Sequence, residues 1–500
     1  MVFERIAPLG NYLAGRFVLP SYFDDEIISY NPGDLQDIIG RFPVSLSQVD
    51  EVVHGAREAF TRWSRMPLAV RKRHILRFKK GLEEGADRLA ELIAREVGKP
   101  LWEAQNEVSL MINKIDITIQ EGLKRVKPFR VPEINGHCYY HPRGVLAVIG
   151  PFNFPGHLPN GHFVPALLTG NTVIFKPSEY TPATGQFITS LIDNAGFPPG
   201  VFNLVQGGKG VGAQLCSHSG VDGILFTGSY ETGLAIKKAT IEDYWKIIVL
   251  EMGGKNAVIV AEDANLERAL YETLVGAFLT TGQRCTSTSR VILLKGIAEP
   301  FIEKFVTLTQ QLRIGFAFDK GVFMGPLISE TAQERFWHYQ GLATSEGCET
   351  ILEGHALARE RAGYYVSPSI HLVKAPDPGS KYQQEEIFAP DIDLYIVSDP
   401  MEAIDITNQS PYGLVVSIFS RDRGYYNELL QSCKAGIINW NRATTGASSR
   451  LPFGGIGKSG NHFPTALFAP YYCTYPVASL EEEGDFVPDK TLPGINWPAK

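Results

Sequence analysis

The chain has 500 residues, 44% hydrophobic and 20% charged, with a formal net charge of −7. That length predicts two or three domains and a core large enough to need no disulfide or metal for its size. The acidic balance lacks the basic face of a nucleic-acid binder, and no stretch reaches about 18 uninterrupted apolar residues, so neither a nucleic-acid partner nor a membrane span is expected.

The start, MVFERIAPLGNYLAG, has no basic segment followed by a long apolar run, so it reads as no secretion signal. From Val49 to Val126 the pattern is helical. VDEVVHGAREAFTRW sets Val52, Ala56, Ala59 and Phe60 on one face. RKRHILRFKKGLEEGADRLAELIAREVGKP reads as one helix stopped by Gly98 and Pro100, and LWEAQNEVSLMINKIDITIQEGLKRV as the next. The period then shortens. GVLAVIG, NTVIFKPS, VFNLVQG, GILFTGS and KIIVLEMGG are short β-rich runs alternating with helical stretches such as TPATGQFITSLIDNAG. This predicts a doubly wound parallel sheet, with ligands at the carboxyl ends of its strands. NAVIVAEDA, SRVILLKG, YIVSD and LVVSIFSRD predict a second α/β domain. Lys127–Pro142 and Ala469–Leu480 are strand-like and aromatic and fit neither domain. They are expected to form an oligomer contact, or else an edge hairpin packed on its own chain. The acidic, proline-rich end is expected to be an extended surface tail.

Six cysteines, Cys138, Cys216, Cys285, Cys348, Cys433 and Cys473, stand singly. With no Cys-x-x-Cys, no metal site is predicted, and the pattern suits a reducing cytoplasm. In TTGQRCTST, Cys285 has small or polar neighbours and an adjacent Arg284 that would favour a thiolate, so it is either a nucleophile or an inert buried thiol. In LEMGGKN, Glu251 ends a very apolar strand. Burial there would raise its pKa and suit a general base, whereas a turn cap is the structural alternative. In IGPFNFPGHLPNGH, Asn153 is held between aromatics and prolines, as an oxyanion donor or in an Asx-turn. FTGSYETG could seat a pyrophosphate on a helix N-terminus, though it is not the Gly-x-Gly-x-x-Gly pattern. In FKPSE, Glu179 stands where an acid can accept from ribose hydroxyls.

Together these segments resemble the aldehyde dehydrogenase superfamily, nearly end to end as far as Leu480. Glu251 matches the family's general base, Cys285 its nucleophile 34 positions later, and Asn153 its oxyanion donor. The cofactor-binding residues implied are Phe152, Lys176, Ser178, Glu179, Gly228, Ser229, Tyr230, Glu231, Thr232, Gly233, Glu386 and Phe388. PFGGIGKSG matches the C-terminal signature, with Ile456-Gly457 replacing an aromatic-Lys pair, and EEIFAP has Ala389 where Gly is common. The resemblance implies an α/β fold: a Rossmann-type NAD-binding domain (1–126 and 143–253), an α/β catalytic domain (254–466), and a small β oligomerisation arm with the tail (127–142 and 467–500). It implies NAD as cofactor, with Glu179 repelling a 2′-phosphate, and a homodimer or homotetramer. The presence of Glu251 favours hydrolysis to a free acid over release to coenzyme A.

NFPGHLPNGH, MINKID and GIINWNRATTGASS are similar to the branch that oxidises succinylglutamate semialdehyde in arginine breakdown. That implies a small-molecule aldehyde with two carboxylates, met by His157, Asn160, Arg284, Arg442, Arg450 and the amides of Gly446, Ala447 and Ser448. Glutamate semialdehyde (pyrroline carboxylate) is the neighbouring alternative within the superfamily. A non-catalytic binding or structural protein on the same fold is the alternative from another class.

Overall fold

The computed structural model describes residues 3–484 and 492–497. Two seven-stranded sheets face each other across a cleft. The first runs, in spatial order, Ile247–Glu251, Gly223–Thr227, Val145–Ile149, Thr172–Lys176, Phe202–Leu204, Asn11–Leu13 and Arg16–Val18. Its first five strands are parallel and its last two antiparallel. Period-2 alternation sorts the side chains onto two cores. Val145, Ala147 and Ile149 join Ile224 and Phe226 on one face, while Leu146 and Val148 join Val173 and Phe175 on the other. Both faces are thus buried, which is why these strands read as continuous apolar runs. The second sheet runs Glu349–Leu352, Ser369–Leu372, Asp391–Val397, Thr288–Leu294, Asn256–Val260, Val415–Phe419 and Ile437–Trp440, all parallel but the first.

The expected helices form, with one correction. The stretch read as one helix is two, Leu68–Glu84 and Ala86–Val97, broken at Gly85. Gly98, at φ +79°, closes the second; a Cβ there would also strike Pro326 and Pro32. Helix Leu101–Gln120 follows Pro100. The sequence reading missed the hairpin Asp25–Asn31 with Asp34–Val44, turned at Pro32-Gly33.

The two segments outside the domains pair with each other. Thr474–Leu480 runs antiparallel to Gly136–Pro142, which also pairs with Phe129–Val131. Of the expected tail, residues 485–491 and 498–500 lie outside the described residues. Among the described residues no helix is long and apolar enough to cross a membrane.

Candidate active site

The chain steps outward in both directions from Val145–Ile149, so the first sheet has a topological switch point beside that strand. The carboxyl ends there carry Asn153, Lys176, Gly228 and Glu251, and all four line one cavity of about 900 Å³. Cys285 and Glu386 line it from the opposite side, and each precedes the amino end of a strand of the second sheet. The carboxyl-end rule therefore locates half of the site.

The loop that carries Cys285 is strained and anchored. Thr280 and Thr281 both adopt left-handed backbone (φ +53° and +59°), at a typical cost of about 1–3 kcal/mol each. The Glu103 carboxylate accepts from Thr280 N–H (3.2 Å) and from its hydroxyl, and Thr281 Oγ1 donates to Gly325 O (3.0 Å). Asn256 Nδ2 donates to Cys285 O (2.7 Å) and Ser287 O (2.8 Å). Gly254 lies 2.6 Å, at its would-be Cβ, from Cys285 O, so no side chain fits there.

Burial, then Glu386 and Glu251, push the Cys285 thiol up to about 12, against the pull of Arg284 and a Thr286 backbone hydrogen bond. Arg284 does favour the thiolate, as expected, but desolvation and two carboxylates outweigh this one cation. Asn153 is buried; its Nδ2 donates to Gln283 O (2.8 Å) and its Oδ1 accepts from Phe154 N–H (3.1 Å). The amide thus faces the Cys285 loop, and the bond to the adjacent Phe154 N–H, one residue short of an Asx-turn, does not make that turn. Glu251 is buried and its Oε2 has no hydrogen bond, so burial raises its carboxyl well above the usual range, opposed by Lys114. It forms a bridge with Gly460, which brings the PFGGIGKSG segment against Glu251.

Among the cofactor candidates, Phe152, Lys176, Ser178, Glu179, Gly228, Ser229, Glu231, Thr232, Glu386 and Phe388 line the cavity. Ser229 caps helix Tyr230–Ala239, its Oγ accepting from Thr232 N–H (3.2 Å). Glu386 accepts from Gly254 N–H (2.9 Å), and burial lifts its carboxyl to about 7. Phe388, at φ +59°, meets Phe152 edge to face. Two candidates do not reach the cavity. Tyr230 packs against the core under Lys458, and Gly233 is pressed on Met252, leaving no room for a Cβ.

None of the candidate substrate residues lines the cavity. Arg284 is spent: it ion-pairs with Glu103, donates to Thr280 Oγ1 (2.9 Å) and covers the Phe154 ring. Arg450 pairs with Glu121, and Arg442 is exposed. Asn160 Nδ2 donates to Met111 O (3.1 Å), and the His157 Nδ1 has no partner, with burial lowering its pKa. Gly446 N–H donates to Ala443 O (3.2 Å), while Ala447 and Ser448 face outward. The amide cradle expected at Gly446, Ala447 and Ser448 is therefore not formed. Other residues line the cavity instead: Lys114 and Phe453, which lie in the quoted MINKID and PFGGIGKSG segments but were not singled out, and Arg335, Tyr412, Lys209 and Gly212, the last two in the glycine-rich GGKGVG stretch, which sequence reasoning passed over. That stretch follows strand Phe202–Leu204 and could have been found by the same strand-end logic.

Residues 21–469 match the model of the aldehyde dehydrogenase family. The chain is 41% identical over 455 residues to an N-succinylglutamate 5-semialdehyde dehydrogenase of Salmonella agona, covering 90% of this chain and 92% of that one. It is 42% identical over 459 residues to the protein of that name from Escherichia coli strain 55989, with the same coverage. A 1-pyrroline-5-carboxylate dehydrogenase from Thermus, solved with bound NAD, superposes with a TM-score of 0.88 at 30% identity over 96% of this chain and 94% of that one. Lactaldehyde dehydrogenase from Escherichia coli superposes with a TM-score of 0.89 at 29% identity over 95% of this chain and all of that one. The chain belongs to the aldehyde dehydrogenase family and is an oxidoreductase acting on aldehydes.

Proposed function

We propose that this enzyme oxidises N-succinyl-L-glutamate 5-semialdehyde to N-succinyl-L-glutamate with NAD, through Cys285, Glu251 and Asn153. One observation carries the mechanism: a thiol, a buried carboxylate and a fixed amide line a single cavity with the residues expected to hold a dinucleotide. The substrate rests on the names of the relatives, which share about two fifths of their residues with this chain.

The cavity fits the cofactor in volume and in its helix N-terminus capped by Ser229. Lys176, Ser178 and Glu179 would hold the adenine ribose, Gly228, Ser229, Glu231 and Thr232 the pyrophosphate, and Glu386 and Phe388 the nicotinamide end. Glu179 disfavours a 2′-phosphate. Bound NAD supplies the acceptor for the hydride whose loss turns the thiohemiacetal into a thioester. The remaining work falls to the protein. Cys285 Sγ releases its proton to solvent water through the cavity and attacks the aldehyde carbon. Asn153 Nδ2, turning from Gln283 O, and the Cys285 N–H donate to the resulting oxyanion, a contribution of about 3 kcal/mol per donor. Glu251 then takes a proton from water, whose oxygen attacks the thioester and releases the acid and the thiol.

The domain division at residues 126, 142, 253 and 466 belongs to the same reading, as does assembly into a homodimer or homotetramer through the arm sheet. The mechanism is tested by rapid mixing of Glu251→Gln with NAD and aldehyde. It should form one reduced nicotinamide per Cys285 and then stall, and turnover near wild type would remove Glu251 as the base.

A further inference from the structure

Glu251 Oε2 has no hydrogen bond among the described residues, and a Cβ on Gly454 would stand 2.8 Å from Oε1. A buried carboxylate in that state takes up a proton rather than stay charged, and a protonated Glu251 cannot accept one from water. A positive charge near it would favour the ionised form.

Four cations line the cavity: Lys114, Lys176, Lys209 and Arg335. Lys176 Nζ donates to the carbonyls of Pro177 (2.8 Å) and Gly207 (2.7 Å). Arg335 donates to the carbonyls of Glu386 and Ile387, and Lys209 is exposed beside Gly208. Lys114 differs from these. It projects from helix Leu101–Gln120, is 6% exposed, and its ammonium makes no hydrogen bond or ion pair within the described residues. The chain makes room for it: a Cβ on Gly161 would lie 2.4 Å from Lys114 Nζ. A buried cation without a partner among the described residues, lining the same cavity as Glu251, is placed to meet an anion there.

We propose that Lys114 is a positioning residue for the hydrolytic step, its ammonium being the charge that holds Glu251 ready to accept the proton of water. This rests on the reading of Glu251 as base. Among the described residues, the other cation near these groups, Lys99, is paired with Glu107 (2.8 Å). His162 bonds to Tyr472 Oη (2.9 Å) and Thr227 Oγ1 (3.3 Å) and is neutral, with burial, helped by Lys114, taking it to about 3. Burial, with Lys114 and Lys99, likewise keeps His157 neutral. Cys285 and Tyr472 carry none at neutral pH, since burial raises both. Lys114 itself is lowered to about 8 by burial, against the pull of Glu251, so it is charged at neutral pH and loses its charge above about pH 8.

The test compares Lys114→Met and Lys114→Arg with wild type, using NAD with propanal and with the acidic semialdehyde. Lys114→Met should keep the first reduced nicotinamide per site and lose about tenfold or more in later turnover at pH 7. The acid limb of its turnover profile should move up by about one pH unit, with KM little changed, and Lys114→Arg should restore most of the rate. An unmoved pH profile with KM raised only for the acidic semialdehyde overturns the proposal and makes Lys114 a reader of substrate charge. Equal loss of the first turnover and the later ones also overturns it. A wild-type enzyme that forms no reduced nicotinamide from any aldehyde removes the hydrolytic reading itself, and this proposal with it.

Discussion

Cys285 shows how far side-chain chemistry can be read from neighbours in sequence. TTGQRCTST suggested a thiolate because Arg284 adjoins the cysteine, but the guanidinium turns to Glu103, 181 positions away in the chain. Burial is the largest influence on the thiol, followed by Glu386 and Glu251. A thiol raised to about 12 is neutral at pH 7, and its reactive form grows with pH through the whole accessible range. Alkylation of Cys285 by iodoacetamide in the cofactor-free protein, followed on its own peptide by mass spectrometry, should rise about tenfold per pH unit up to about pH 9. A plateau below pH 8 would show a thiolate already formed. Local motifs made Cys285, Glu251 and Asn153 legible because each sits in a short segment at a strand end. The partners of Arg284 and Arg450, distant in the chain, were not legible, and for that reason both arginines read as free cations.

At the scale of elements, helix Leu101–Gln120 couples the two halves of the site. Glu107 Oε1 accepts from the N–H groups of Gly156 (2.9 Å) and His157 (3.0 Å), and Oε2 accepts from Lys99 Nζ (2.8 Å). Lys99 also donates to Asn153 O, while Glu103, one turn earlier on the helix, holds Thr280 and Arg284. One helix thus holds both the Asn153 segment and the Cys285 loop. Lys99 and Glu107 are fully buried, so removing one partner leaves a stranded charge. Glu107→Ala should cost about 3–5 kcal/mol and lower the melting temperature of the catalytically competent fold. An unchanged melting temperature would show that the pair contributes nothing to the fold. Periodicity gave this helix its place, since its apolar face repeats regularly. The charged residues at its buried positions carried no such signal, because helical spacing records which face is buried and not what it meets there. The break at Gly85 was equally hidden, as an apolar stripe continues on both sides of it.

For the whole molecule, the alternation of strand and helix made both sheets readable, but not their opposed orientation. Carboxyl ends face amino ends across the cavity, an arrangement set by packing between the two units. The arm sheet leaves Phe129, Ile134 and Leu480 exposed, which in a single chain is apolar surface without cover. Sedimentation should find a dimer or tetramer that Tyr139→Asp with Tyr475→Asp weakens, and a wild-type monomer would remove the arm as an assembly surface. The central claim concerns substrate and outcome, and it is measured most directly by kcat/KM with NAD for N-succinylglutamate, glutamate and succinate semialdehydes. The highest value should fall on N-succinylglutamate 5-semialdehyde, with the free acid as product. A higher value for glutamate semialdehyde, or no reduced nicotinamide from the succinylated substrate, would contradict it.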